Sequence, residues 1–153
     1  QGSGLRVQGS GFRNMGISLK LQQLWKRMTR SSREDHGAQV LLMGWLSKRG
    51  EIRSTWKKRF FKLTETELQW FKNESSTYAI GITQLAKCFH VRSGKTAQLR
   101  PEQHHKHDID RMFILMHKNR TYIFEAADSR ASYEWISVLG QLLLERAGEL
   151  EEV

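Results

Sequence analysis

The feature that most constrains this chain is a change of hydrophobic period partway along it. Between residues 38 and 126 apolar side chains alternate with polar ones in short segments, at about 40–48, 56–63, 67–72, 78–83, 87–92, 111–117 and 120–126. After Asp128 the spacing becomes helical, with Tyr133, Trp135, Ile136, Leu139, Leu142, Leu143 and Arg146 on one stripe. Strand side chains alternate faces while helical ones return every 3.6 residues, so neither pattern can stand in for the other. The polar spacers support the division. Thr64-Glu65-Thr66 suits a tight hairpin, Asn73-Glu74-Ser75-Ser76 a second turn, and Lys118-Asn119 a two-residue one, while Ser93–Asp110, with the single proline Pro101, reads as the main loop. The expected fold is mostly β: seven antiparallel strands in a partly open barrel, capped by one C-terminal α-helix that covers the apolar surface the opening leaves. Asp128 or Ser129 is placed to cap that helix.

Composition limits the rest. With 153 residues, 39% hydrophobic and 27% charged, the chain is sized for one domain plus an extension. No apolar run approaches the roughly 20 residues of a membrane-spanning helix. Residues 1–16 hold five glycines and the near-repeat Gln1-Gly2-Ser3-Gly4 and Gln8-Gly9-Ser10-Gly11, which reads as a flexible linker or a remnant of cloning. Residues 17–37 comprise a short basic amphipathic helix and a linker. Ile17, Leu21, Leu24, Trp25 and Met28 share one face, and Lys20, Lys26, Arg27 and Arg30 the other. Residues 38–147 form the domain, and 148–153 an acidic tail. The lone cysteine, Cys88, has no intrachain partner and reads as a small buried hydrophobe. With no secretory pattern at the start, a reducing cytoplasmic setting is expected.

Charge is concentrated in Gly44–Leu63, where Lys48, Arg49, Arg53, Lys57, Lys58, Arg59 and Lys62 face the single acid Glu51, a net of +6 within a chain of net +9. Residues 1–39 carry +5 and residues 121–153 carry −5, so the molecule is polarised and suited to meet an anionic partner. Alternation puts Lys57, Arg59, Phe61 and Leu63 on one face, which runs from charged to apolar. Arginine offers a planar fork and lysine a mobile point charge, a mixture better fitted to several phosphates than to one carboxylate.

These residues resemble the pleckstrin homology (PH) domains. The resemblance covers about 40–147 and rests on Gly44-Trp45-Leu46-x-Lys48, Trp56-Lys57-Lys58-Arg59-Phe60-Phe61-x-Leu63, Leu68-x-x-Phe71 and Trp135. It implies an inositol phosphate headgroup held by Lys48, Lys57 and Arg59 at the open end of the barrel, with Arg49, Arg53 and Lys58 toward an anionic bilayer surface. Strong binders of 3-phosphorylated phosphoinositides in this family often have Tyr in the third strand and a basic residue before the fourth. Here those positions read as Gln69 and Ile80, which implies permissive binding to several phosphoinositides.

Other signals are weaker. His104-His105-Lys106-His107-Asp108 lacks the spacing of closed metal sites and reads as solvated surface; no metal or cofactor is expected. Tyr122, Phe124, Tyr133 and Trp135 follow the strand and helix periods into the core rather than forming a base-stacking platform, so nucleic acid is disfavoured. No phosphate loop, nucleophile elbow or paired carboxylates mark an enzyme. The expected function is a non-catalytic adaptor module that binds phosphoinositides and associates reversibly with membranes. The alternative is a protein-interaction module on the same scaffold. The 17–30 helix has three candidate contacts: the domain itself, a membrane surface, or a calmodulin-like protein.

Overall fold

A computed structural model describes residues 39–151. In chain order these form β1 (Leu42–Arg49), β2 (Trp56–Leu63), β3 (Glu67–Phe71), β4 (Gly81–Gln84), β5 (Cys88–Ser93), the single-turn α1 (Pro101–His104), β6 (Met112–His117), β7 (Arg120–Ala126) and the long α2 (Ser129–Glu151). The seven strands make one antiparallel sheet in the order β4-β3-β2-β1-β7-β6-β5. The seven strands and closing helix therefore match the fold read from the change of period. The basic 17–30 segment and the 1–16 linker lie outside the described residues.

Pairing of β1 with β7, through Leu46↔Ala126, Ser47↔Glu125 and Lys48↔Phe124, closes the sheet between its first and last strands. The opening therefore falls between β4 and β5. Register sorts the side chains: Phe61, Leu63, Leu68, Phe113, Leu115 and Phe124 turn inward to one core, which Trp135, Leu139 and Leu142 of α2 complete. Inside it, the Thr83 hydroxyl on β4 donates to the Tyr122 hydroxyl on β7, so the two polar groups satisfy each other in burial.

Turn chemistry fixes that register. The buried Thr64 hydroxyl accepts the backbone N–H of Glu67 at 3.1 Å and of Thr66 at 3.3 Å, closing the β2–β3 hairpin. Asn73 Oδ1 accepts from the Ser75 N–H at 3.1 Å and from the Ser76 hydroxyl at 2.9 Å, which shapes the turn after β3. At the start of α2, Asp128 Oδ1 accepts the Ala131 N–H at 2.7 Å, the bond expected of a capping carboxylate.

Several expectations change. Tyr133 is 41% exposed rather than in the core, because the buried stripe of α2 runs through Ser132, Trp135, Leu139 and Leu142, centred about 140° away from it. The helix continues to Glu151, through residues read as an acidic tail. The polar 93–110 stretch covers a second apolar cluster on the outer face of the sheet, where Met112, Ile114 and Ile123 pack with Trp56, Ala97 and Leu99. His107 is accordingly only partly solvated: its ring stacks on Trp56 with centroids 4.1 Å apart, and Nδ1 lies 2.9 Å from Glu125 Oε1. The other Glu125 oxygen accepts from the Asp108 N–H at 2.9 Å and from Arg111 Nη2 at 3.2 Å, so one carboxylate ties the loop down. Cys88 is buried as expected, and burial pushes its thiol up to about 11. No described helix is long and apolar enough to cross a membrane.

Candidate functional site

The site is built where the inward faces of β1, β2 and β7 run past the core and reach solvent. Along β2 the inward positions are Leu63, Phe61, Arg59 and Lys57, and their β1 partners are Leu42, Gly44, Leu46 and Lys48. The hydrophobic effect fixes the apolar end of this ladder in the core, and alternation then forces Lys48, Lys57 and Arg59 onto the same side at the open end. Lys48 and Lys57 sit directly opposite each other. Like charges in that position are destabilising, so the fold holds a repulsion that an anion would relieve.

These residues line an open cleft of about 420 Å³ together with Arg53, Trp70, Ile80 and Arg120. All three basic residues singled out for headgroup binding are therefore brought together. Of the three assigned to general surface attraction, Arg53 instead lines the cleft, because the β1–β2 loop folds back over it. That fold-back needs a glycine: a Cβ on Gly50 would lie 2.4 Å from the Arg53 carbonyl oxygen. Arg49 and Lys58 fall on the outer face. Arg49 Nη2 donates to the Ser54 hydroxyl at 2.9 Å, and Lys58 Nζ lies 5.7 Å above the Trp45 ring.

The floor of the cleft is aromatic. Lys48 Nζ sits 5.2 Å over the Trp70 ring and 5.6 Å over the Tyr122 ring, while the Arg120 guanidinium stacks at 4.2 Å on Tyr122. Trp70 keeps this place because Gly81 gives it room; a Cβ there would lie 2.2 Å from the indole. The third-strand position facing the cleft is thus Trp70, paired with Phe61, and not Gln69. Gln69 is one residue out of phase and donates to Glu67 Oε1 at 2.7 Å. Ile80 does border the cleft.

Arg120 was missed because it stands beside a turn, far from the basic hairpin in sequence. Parity carried a signal: Arg120, Tyr122, Phe124 and Ala126 share a face of β7, and the last three are core. Only the β1–β7 pairing shows that this face continues the one holding Lys48. Arg120 also engages Glu51 Oε2 at 3.0 Å, so the hairpin's one acid reaches across the mouth of the cleft. Burial, and then Arg120, Arg59 and Lys57, hold the Lys48 ammonium below the ordinary lysine value of 10.5, against the opposing pull of Glu51.

Comparisons with known proteins bear on the family and the fold. The family model for the PH domain matches residues 40–143. Pleckstrin homology domain-containing protein 1 of Arabidopsis thaliana is 25% identical over 109 residues, covering 68% of this chain and 69% of that protein. The mouse (Mus musculus) dual adapter for phosphotyrosine and 3-phosphotyrosine and 3-phosphoinositide is 30% identical over 96 residues, which is 63% of this chain but only 31% of the adapter. Among solved structures, the C-terminal PH domain of pleckstrin in complex with D-myo-Ins(1,2,3,5,6)P5 superposes with a TM-score of 0.55 at 23% identity, covering 70% of this chain and 98% of that one.

Proposed function

From the premise that this chain belongs to the PH domain family, a non-catalytic class of binding module, we propose that it attaches reversibly to membranes by holding phosphoinositide headgroups in the basic cleft. The observation that carries this is the convergence of Lys48, Lys57 and Arg59 with Arg53 and Arg120 over the Trp70 floor. Five cations from three parts of the chain suit a ligand with several phosphates. The complex of the pleckstrin domain with an inositol pentakisphosphate supports the same ligand chemistry.

The rim favours a lipid surface over a free sugar phosphate. Ile52 at the loop tip is 97% exposed, and Tyr78 and Ile80 on the neighbouring β3–β4 loop are exposed as well. Apolar side chains beside a cationic mouth gain from entering the interfacial layer of an anionic bilayer, where each nearby Lys or Arg adds about 1 kcal/mol. With Trp70 and Ile80 where a specific binder would present hydrogen-bonding groups, recognition is permissive across phosphoinositides. The site works as an adaptor at the cytoplasmic face of membranes.

Liposome co-sedimentation across phosphoinositide content tests this reading. Binding rises with that content and is lost in Lys57→Ala plus Arg59→Ala, and Ile52→Ser, at the exposed rim of the cleft, weakens liposome binding more than soluble inositol polyphosphate binding. Undiminished liposome binding by the double variant would overturn the assignment and leave a protein-interaction role for the scaffold.

A further inference from the structure

The segment between β3 and β4, residues 72–80, is held at both ends. At its start Asn73 Oδ1 accepts from the Ser75 N–H and from the Ser75 and Ser76 hydroxyls, and Glu74 Oε1 accepts from Trp45 Nε1 at 3.0 Å. At its end the Ile80 N–H donates to the Trp70 carbonyl at 2.8 Å. Between these ties Thr77, Tyr78 and Ala79 make no backbone–backbone hydrogen bond among the described residues. Tyr78 stands there 86% exposed.

That setting separates it from the chain's other two tyrosines. Tyr122 is buried with its hydroxyl bonded to Thr83, and Tyr133 lies within α2, where the helix engages the backbone groups on either side of it. An enzyme that modifies a tyrosine must reach the hydroxyl and both flanking residues, and an open surface segment offers all three. The place matters as much as the access. Tyr78 is two residues from Ile80, which borders the basic cleft, so their Cα atoms are no more than about 7 Å apart. With Ile52 and Ile80 it belongs to the exposed rim beside the cleft. A neutral ring at this rim can enter the interfacial layer of an anionic bilayer. A phosphorylated one cannot, because lipid phosphates repel it and loss of its hydration opposes entry.

We propose that Tyr78 is a phosphorylation site through which a tyrosine kinase releases the domain from membranes. The tyrosine oxygen attacks the terminal phosphorus of a nucleoside triphosphate, and the new Oη–P bond forms as the bond to the bridging oxygen breaks. The nucleoside diphosphate leaves with that electron pair, and the hydroxyl proton passes to the kinase's base. The product carries about −1.5 to −2 charge at neutral pH, which offsets about two of the basic residues around the cleft. Two near-surface cations account for about 30-fold in affinity for an anionic bilayer, and that is the loss expected. The inference rests on the reading of the cleft as a lipid headgroup site.

The test treats the intact 153-residue chain with magnesium ATP and the catalytic domain of a broad-specificity tyrosine kinase. Mass spectrometry maps the phosphate, and co-sedimentation measures affinity for phosphatidylcholine vesicles that contain phosphatidylinositol bisphosphate. Phosphate is expected on Tyr78, with affinity reduced about 30-fold and restored by a phosphatase. In Tyr78→Phe the same treatment should leave affinity where it stood before treatment. No phosphate on Tyr78, an affinity within about threefold of the untreated chain once Tyr78 is phosphorylated, or an equal loss in treated Tyr78→Phe overturns the inference. Each of those results leaves the headgroup reading standing. An untreated chain that does not bind the vesicles overturns that reading, and the inference with it.

Discussion

The two faces of the β1–β2 hairpin carry similar charge and do different things with it. On the inner face Lys48, Lys57 and Arg59 converge, and the loop and β7 bring Arg53 and Arg120 to the same cleft. On the outer face Arg49 is engaged by Ser54, Lys58 lies over Trp45, and Lys62 lies 4.8 Å over Phe71, each cation with its own neighbour. Charge density alone thus does not make a site. A ligand with several phosphates needs donors that point at one volume, and the hairpin achieves this only on the face whose far end is anchored in the core.

The sharpest way to break this contrast is to empty the inner face. Lys57→Ala plus Arg59→Ala removes two charge-assisted contacts of about 1.5–3 kcal/mol each, so phosphoinositide liposome affinity should fall at least about 100-fold with the melting temperature nearly unchanged. Next is Gly81→Ala, where the added methyl collides with the Trp70 indole. At an overpacking cost of about 1–3 kcal/mol it should shift Trp70 and reduce headgroup affinity roughly 10-fold, visible in tryptophan fluorescence and in titration with a soluble inositol polyphosphate.

The pH response of Lys48 sharpens the comparison further. Its ammonium is held below 10.5 in the free fold, and a bound phosphate favours the charged form. Affinity should therefore be full at neutral pH and fall as pH rises through the depressed value. In the free domain the sign is opposite: a lowered lysine pKa penalises the fold while the group is charged, so stability rises as pH climbs through that range toward 10.5. Titration calorimetry from neutral to alkaline pH checks the first, and Lys48→Arg should flatten the slope. A smaller effect, a gain of about threefold, is expected of Glu51→Gln, which frees Arg120 from its 3.0 Å ion pair at the cleft mouth. Smallest is Lys58→Ala on the outer face: a loss of about twofold at low salt that disappears at physiological ionic strength.

Most of the fold was legible in the sequence because its signals are local. The period of two ends at Ala126 and the helical stripe begins after Asp128, and Thr64, Asn73 and Asp128 carry turn and cap chemistry in their own side chains. Lys57 and Arg59 could be set on one face for the same reason, by alternation along a single strand, whereas Lys48 joined them in the sequence only through the family resemblance, and the β1–β2 register is what sets it opposite Lys57. Misreadings came where one residue of phase or a distant contact decided the outcome. Trp70 rather than Gln69 faces the cleft because β3 pairs Phe61 with Trp70. Tyr133 is exposed because the rotation of α2 is set by how Trp135 and Leu139 fit the barrel. His107 looked solvated among other polar residues, yet Trp56 and Glu125, far away in sequence, bury most of it.

The sequence by itself determined that this chain makes an antiparallel barrel with one closing helix, and that its charge gathers on one hairpin, because backbone periodicity and composition are properties of neighbouring residues. Only the tertiary structure decided which of those charges meet. The closure of β1 on β7 brings Arg120 to Lys48, the room left by Gly81 lays Trp70 under both, and the fold-back at Gly50 brings in Arg53. Such convergence depends on contacts between segments that the chain separates by tens of residues, and a linear pattern does not encode their distance.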